Sequence, residues 1–378
     1  MRLSDLRKKI LEKVKRVVIK VGSSVLTDTP TIINFNAFAS LVDQIAWIKG
    51  KGYEPVIVSS GAIVIGMRKL GLKERPQSIP LKQAAAAVGQ TGLIENYDRF
   101  FKEKNLKVGQ VLLTNLILKN RSLFLNARNT LFTLLELGVI PIINENDSVV
   151  VDEIKLGDND NLATIITNLV EADLLIMLTD QDGLFDTDPK KDQKAKLVPL
   201  VKKIDKEIEK LASKTKSLQG VGGMATKIIA AKNATKYGVP VIVANGRIHG
   251  ILKSIFQGEE VGTLFLPQKP KLASRKHWIA CALKPKGMLI IDDGAQEAIL
   301  KKGKSLLPVG ITKVEGNFQF GDSVVIQNQK REEIARGLVN YSNSELEKII
   351  GLSSKEIDRI LGYRHYEEVI HRDDLVIL

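Results

Sequence analysis

The sequence contains a single cysteine, Cys281, and therefore forms no intramolecular disulfide bond. Such a composition is typical of a reducing compartment, and we expect a cytoplasmic protein. No run approaches the roughly 18 consecutive apolar residues of a membrane-spanning helix. The first twenty residues alternate charged and apolar side chains, unlike a secretory signal. The sequence thus predicts neither a membrane protein nor an exported one.

Histidine is also scarce. The four histidines all lie in the last third of the chain: His249, His277, His365 and His371. With one cysteine they do not form a zinc-ligand set, and a histidine general base is not expected near the chain's earlier motifs. The acidic stretches at 158–162 and 180–183 lack the oxygen-ligand spacing of an EF-hand loop. We therefore predict no metal ion held by protein ligands alone.

Lysine and arginine, in contrast, outnumber the acidic residues and give a formal charge of +13. This excess favours anionic ligands, and both nucleotides and nucleic acids qualify. The lysines cluster near the N-terminus, in 190–216 and in 269–286. A solvated lysine-rich face is the simpler explanation of such clusters, so charge alone does not identify a partner.

Up to about residue 265, short β-branched apolar runs alternate with longer helical patterns. This alternation predicts an α/β fold with an open, mostly parallel sheet sandwiched by helices. The predicted strands are Arg16–Val21, Pro55–Ser59, Gly109–Leu113, Val139–Ile143, Leu174–Leu178 and Val239–Val243. The predicted helices include Asn36–Lys51, Leu81–Lys104, Ser122–Leu137, Asn161–Glu171 and Thr226–Tyr237.

The segment PQKPKLASRK, rich in proline and lysine, interrupts this pattern and predicts a linker over 267–276. We expect a catalytic domain over 1–266 and a small, mostly β domain over 277–378. The second domain has predicted strands in GMLIID, GDSVVIQ and EIARGLVNYS, and predicted helices over Gly294–Lys302 and Ser342–Ile350.

Polar clusters follow the ends of the predicted strands. They are Lys20 with Gly22–Ser24, Ser59–Gly61, Asn144–Asp147 and Thr179–Gly183. In open α/β sheets, ligands bind at the carboxyl ends of the strands, so these clusters are expected to share one rim. Each cluster alone is also compatible with an ordinary turn or helix cap.

The stretch LGDNDNLAT places Asp158, Asn159, Asp160 and Asn161 in consecutive positions directly before a predicted helix. Three interpretations compete, namely a divalent-metal loop, a capped helix start and a pocket for a polar, cationic or phosphorylated ligand. The spacing argues against the metal loop. The other two interpretations are compatible with each other.

Phosphate chemistry is indicated by Gly220, Gly222 and Gly223, which precede Met224, Ala225, Thr226 and Lys227 at a predicted helix start. Backbone N–H groups and a lysine there can approach a polyphosphate. Neither a Walker A motif nor the G-x-G-x-x-G fingerprint is present. Lys20, at the end of the first strand, supplies a second cation, and phosphoryl transfer needs mainly positioning and cations.

The sequence contains, in order, the motifs KVGSSVLT, VSSGAI, KQAAAAVGQ, FLNARNT, INENDSV, IKLGDNDNLAT, LTDQDGLF and GGMATK. This series of motifs resembles the glutamate 5-kinases of the amino acid kinase family. The C-terminal segments DDGAQEAILKKGKSLLPVGI, GNFQFGDSVVI and ILGYRHYEEVIHRDD resemble a PUA domain. The resemblance covers nearly the whole chain after about residue 16, and INENDSV with GDNDNLAT is its specific part.

The resemblance implies ATP-dependent phosphorylation of the glutamate side-chain carboxylate, the first step of proline biosynthesis. It implies that Lys20 and Lys227 hold the phosphoryl group, that Asp160 orients both lysines, and that Mg²⁺ travels on the ATP phosphates. Ser60, Asp147 and Asn159 would bind glutamate. The implied ATP contacts are Lys20, Thr179, Asp180, Gly222, Gly223, Met224, Ala225, Thr226 and Lys227. Val221 departs from the threonine that the family often has before GGM.

Two rival functions stay open from the sequence. Another kinase of the same fold differs only in its acceptor. An RNA-binding protein is suggested by the PUA-like domain and the basic linker, although not as the primary function. The resemblance also implies a homodimer or homotetramer and feedback inhibition by proline.

Overall fold

The computed structural model describes residues 2–29, 32–114, 121–149, 158–189, 191–214, 223–267, 285–364 and 366–377. The chain divides into two units, Met1–Leu118 with Ala127–Pro270 and Lys119–Asn126 with Lys271–Leu378. Apart from position 267, the predicted linker lies outside the described residues. Among the described helices, none is both long and apolar enough to span a bilayer.

The first unit contains a large sheet and a small hairpin. Its strands are β1 (Arg16–Val21), β2 (Thr27–Thr29), β3 (Ile32–Ile33), β4 (Glu54–Ser59), β5 (Val108–Leu113), β6 (Ile140–Glu145), β7 (Leu174–Thr179), β8 (Leu200–Val201), β9 (Val241–Asn245) and β10 (Thr263–Phe265). β2 pairs with β3, and the other eight strands form one sheet in the order β5-β6-β4-β1-β7-β9-β10-β8. Neighbouring strands of this sheet are parallel, except that β9 and β10 are antiparallel to each other. The predicted mostly parallel sheet is confirmed.

Helices connect these strands. They are α1 (Leu3–Leu11), α2 (Ser23–Leu26), α3 (Phe35–Gly50), α4 (Ala62–Lys69), α5 (Ile79–Lys102), α6 (Arg121–Glu136), α7 (Asp158–Leu169), α8 (Lys206–Lys214), α9 (Met224–Lys236) and α10 (Ile251–Phe256). The central strands β6 and β7 are buried along their whole length. This is the expected environment of parallel strands that helices cover on both faces, and it explains their continuous apolar sequences.

Helices α4 and α5 touch through their backbones. A Cβ atom at Gly66 would lie 1.7 Å from the carbonyl oxygen of Ala85, and one at Gly89 would lie 1.7 Å from that of Ala62. No side chain fits at either position, so glycine is required. We call this contact the glycine seam. It fixes α4, which follows the Ser60–Gly61 turn, against α5.

The second unit has its own sheet and core. Its strands are β11 (Gly287–Ile291), β12 (Ile311–Gly316), β13 (Ser323–Gln327), β14 (Glu333–Leu338) and β15 (Leu375–Ile377), and its helices are α11 (Asp293–Leu300), α12 (Asn343–Ile349) and α13 (Ile357–Leu361). The strands are arranged in the order β12-β11-β13-β14-β15. Phe318 and Tyr341 are among its fully buried side chains. The predicted mostly β character of this unit is confirmed.

Three predicted boundaries were wrong in ways that affect the site. β6 runs to Glu145 rather than ending at Ile143, because Asn144 and Glu145 continue the parallel ladder with β5. α7 begins at Asp158 rather than Asn161, so the Asp-Asn-Asp run forms the first helical turn instead of a preceding loop. β9 begins at Val241 rather than Val239, directly after Pro240, a residue without a backbone N–H for the ladder.

Candidate functional site

The polar clusters predicted from the sequence meet at the carboxyl ends of four neighbouring strands. β6, β4, β1 and β7 are adjacent in the middle of the sheet. Val21 at the end of β1 pairs with Ser59 of β4 on one side and with Leu178 of β7 on the other. The residues that leave these strands therefore share one rim, and α7 and α9 add their first turns to it.

Two lysines from distant parts of the chain contact one carboxylate. Lys20 Nζ on β1 lies 2.7 Å from Asp160 Oδ1, and Lys227 Nζ on α9 lies 3.4 Å from Asp160 Oδ2. Thr226 donates a hydrogen bond of 2.7 Å to Asp160 Oδ2. The relative exposures of Lys20, Lys227 and Asp160 are 6%, 4% and 1%. Two buried cations with one buried anion give this cluster a net positive charge.

The charges of this cluster depend on one another. Burial alone raises the pKa of Asp160, but the ammonium groups of Lys20 and Lys227 and the hydrogen bonds from Lys20 and Thr226 outweigh it and lower that pKa to about 2. Burial lowers the pKa of Lys227, and Lys20 lowers it further, whereas Asp160 opposes both effects. Asp160 therefore stays ionised at neutral pH and helps to keep Lys227 protonated.

Space beside the lysines is left by glycine. A Cβ atom at Gly22 would lie 3.2 Å from the Leu178 carbonyl oxygen and 3.8 Å from Lys20 Nζ. On the other side, Gly223 precedes α9 and offers no side-chain cap to its first N–H groups. A helix N-terminus with free N–H groups attracts anions. The surroundings of both ammonium groups therefore suit a phosphate.

A second cluster consists of amides and a hydroxyl. Asn159 Nδ2 donates to Ser60 Oγ at 2.8 Å and to Asn144 Oδ1 at 3.0 Å. Asn144 Nδ2 in turn donates to Gln90 Oε1 at 2.8 Å. Asn159 and Asp160 are consecutive residues of α7, so this amide cluster lies directly beside the lysine pair. Within LGDNDNLAT, Asn159 therefore contacts the amides and Asp160 contacts the lysines.

Of the remaining predicted residues, Asp147 follows β6, and Thr179 and Asp180 lie at the end of β7, so these three belong to the same rim. Asp147 lines a cavity of about 400 Å³ together with residues of α5 and β5. Thr179 ends β7, is buried, and donates to the exposed Asp180 at 3.2 Å. Met224 and Ala225 form the first turn of α9. Gly222 lies outside the described residues.

Sequence reasoning missed two parts of this site. Gln90 appears in the sequence analysis only within a motif, and Asn144, although expected on the rim, is a residue of β6 whose amide contacts the sequence does not predict. Arg247, which follows β9, donates to the Ser24 carbonyl oxygen at 2.9 Å and so braces the turn after β1. Its neighbour Asn245 donates to Asp182 Oδ1 at 2.9 Å, in the turn after β7. No spacing rule links residues so far apart, and only the strand order brings them together.

No group of three or more histidine, cysteine, aspartate or glutamate side chains in the described part of the chain could hold a metal ion. The carboxylate nearest the lysines, Asp160, is already engaged by them and by Thr226. The oxygens of a bound triphosphate are suitable ligands for Mg²⁺.

Comparison with known proteins gives two family matches. Residues 15–245 match the model of the amino acid kinase family, and residues 287–361 match that of the PUA domain. The glutamate 5-kinase of Pelobacter propionicus is 50% identical over 373 residues, which cover 99% of this chain and 100% of that protein. The glutamate 5-kinase of Geobacter sulfurreducens is 51% identical over 373 residues, with the same coverage. The glutamate 5-kinase of Thermoanaerobacter sp. is 52% identical over 363 residues, which cover 96% of this chain and 98% of that protein.

Proposed function

The chain belongs to the amino acid kinase family, among its glutamate 5-kinases, and we propose from this premise how its residues divide the work of phosphoryl transfer. The reaction moves the terminal phosphoryl group of ATP to the side-chain carboxylate of L-glutamate. The products are L-glutamate 5-phosphate and ADP. This is the first step of proline biosynthesis.

Lys20 and Lys227 are the proposed catalytic residues. During transfer the migrating group passes between two oxygens, with negative charge spread over its own oxygens. Two ammonium groups fixed beside it stabilise this charge without having to reorganise at the moment of reaction. Asp160 is proposed as a positioning residue, because it contacts both ammonium groups at 2.7 and 3.4 Å.

Ser60, Asp147 and Asn159 are the proposed glutamate-binding residues. The acceptor is a carboxylate with an ordinary pKa of about 4.3, so it is ionised at neutral pH and needs no general base. A cluster of amides and hydroxyls without a histidine suits such an acceptor. Asp147 is proposed to meet the ammonium group of the substrate.

Thr179, Asp180 and the segment from Gly222 to Lys227 are the proposed nucleotide contacts, together with Lys20. This assignment is supported by the first turn of α9, which has no side-chain cap, and by Thr179, which ends the strand beside β1. Mg²⁺ is proposed to bind through the ATP phosphates, where it would neutralise part of their charge.

The observation that carries the proposal is the convergence of Lys20 and Lys227 on Asp160, directly beside the amide cluster around Asn159. The test is a coupled assay of ADP release with ATP and Mg²⁺. Glutamate, aspartate, acetylglutamate, carbamate and uridylate serve as separate acceptors. We expect ADP release that depends on glutamate. Activity on aspartate or uridylate without activity on glutamate would contradict the proposed acceptor.

Regulation and assembly are further proposals. We propose that proline inhibits the enzyme at a site overlapping that of glutamate, so its effect should be competitive with glutamate in initial-rate measurements. A homodimer or homotetramer is proposed, and light scattering would measure the oligomeric state.

The single cysteine supports a cytoplasmic location.

RNA binding is a second candidate, favoured by the PUA domain match over residues 287–361. Of the lysine-rich stretch 269–286, only residues 285 and 286 are described. A filter-binding titration at increasing salt tests this candidate, because genuine affinity for RNA phosphates falls steeply with salt. Binding independent of salt would argue against it.

A further inference from the structure

Three side-chain amides are connected in series on the acceptor side of the site. Gln90 lies on α5, Asn144 near the end of β6 and Asn159 in the first turn of α7. Asn144 Nδ2 donates to Gln90 Oε1 at 2.8 Å, and Asn159 Nδ2 donates to Asn144 Oδ1 at 3.0 Å. Each amide accepts from the next, so the series has a direction.

A backbone group sets this direction. The N–H of Glu145 donates to Asn144 Oδ1 at 2.9 Å. A backbone N–H can only donate, so the atom that faces it must be the carbonyl oxygen of the amide. Asn144 therefore turns its NH₂ group toward Gln90, where it needs an acceptor because Asn144 is only 2% exposed.

The direction decides what Asn159 offers to a ligand. Its NH₂ group is used by Ser60 Oγ at 2.8 Å and by Asn144 Oδ1. Its Oδ1 is buried and has no hydrogen-bond partner among the described residues. A buried acceptor of this kind costs free energy unless a donor reaches it. Asn159 thus has an acceptor rather than a donor left over for a ligand.

We propose that Gln90 is a positioning residue for the acceptor substrate. By accepting from Asn144, Gln90 holds that amide so that Asn159 keeps its Oδ1 available to the ammonium group of an amino acid. The inference rests on the proposed function, because it assumes that Asn159 binds glutamate. Gln90 acts through Asn144 and Asn159 and need not touch the substrate.

Two replacements of Gln90 separate positioning from space filling. Gln90→Met keeps the length of the side chain and removes the acceptor. Gln90→Glu keeps an acceptor oxygen for Asn144. Gln296 is half-buried on α11 of the second unit and takes no part in the three-amide series or in the cavity, so Gln296→Met is the matched control. If Gln90→Met does not fold, Gln90→Ala removes the same acceptor without added bulk.

The experiment measures kcat, the KM values for glutamate and ATP, and the Tm of each variant. We expect Gln90→Met to raise KM for glutamate roughly 5- to 50-fold, with KM for ATP within about twofold of the wild-type value. Gln90→Glu should recover most of the affinity for glutamate, and Gln296→Met should behave as wild type. Glutarate, which lacks the ammonium group, should lose little further affinity in Gln90→Met.

The outcomes separate the inference from the proposed function. A wild-type enzyme without glutamate-dependent ADP release contradicts the proposed function itself. If the wild type is active and Gln90→Met matches it, the positioning role is refuted. Equal losses in Gln90→Met and Gln90→Glu would reduce Gln90 to a packing residue. If Gln90→Met loses affinity for glutamate and glutarate equally, the ammonium group is not the group that Asn159 Oδ1 binds.

Discussion

Replacement of Asp160 by asparagine is the most direct test of the lysine cluster. Asparagine keeps the size of the side chain and can still accept from Thr226, but it removes the negative charge that Lys20 and Lys227 share. Two buried ammonium groups are then left without a counter-charge. The variant should therefore lose both stability and catalytic rate.

The structure gives the size of the expected loss. The fall in the pKa of Asp160 from 3.8 to about 2 corresponds to roughly 2–3 kcal/mol in favour of the folded, ionised state. Removal of one member of a buried ion pair usually costs about 3–5 kcal/mol, because the remaining charge stays buried. We expect the free energy of unfolding to fall by about 3 kcal/mol.

The assay is urea unfolding of the wild type and Asp160→Asn at several pH values. The pKa of Asp160 is lower in the folded state, so its contribution is complete above about pH 4 and is lost as the pH falls toward about 2. The stability difference between the two proteins should shrink over the same range. A bound nucleoside triphosphate should also reduce the stability difference, because its phosphates replace the missing negative charge. Equal stabilities at neutral pH, or a difference independent of acid pH, would refute the reasoning.

Three further predictions concern other parts of the site. Lys20→Met and Lys227→Met should each lower kcat by about 10²- to 10⁴-fold, and a change confined to KM would contradict their role in the transition state. Asp147→Ala should mainly raise KM for glutamate, measured by initial rates at saturating ATP; an unchanged KM would remove Asp147 from the substrate site. Gly89→Ala should destabilise the protein by about 1–3 kcal/mol or more, because the new Cβ atom meets the α4 backbone. Gly50→Ala is the control, because nothing lies within 4 Å of the added carbon. Equal Tm values for the two variants would contradict the close backbone contact at the glycine seam.

Much of the fold could be predicted because its signals are local. The apolar run from Arg16 to Val21 has only one reasonable interpretation, and the strand has these bounds. α4 was missed because it is short and follows Gly61 in the left-handed conformation. The two-residue strand β8 and the three-residue strand β10 are too short for a periodic pattern. Their pairing depends on partners distant in the sequence.

The site could be predicted in outline from the rule that ligands bind at the carboxyl ends of parallel strands. That rule placed Lys20, Ser60 and Thr179 on one rim. It could not show that Asp160 lies between two lysines, or that Gln90 accepts from Asn144. These contacts depend on the depth of α5 and α7 against the sheet, and packing of whole helices sets that depth.

The glycine seam limits how the catalytic unit can move. Where backbone meets backbone, there are no side chains that could change rotamer and let two helices slide past each other in small steps. The helix that follows the Ser60 turn and the helix that carries Gln90 should consequently travel as one rigid piece. Any closing motion during turnover would therefore need a hinge outside α4 and α5.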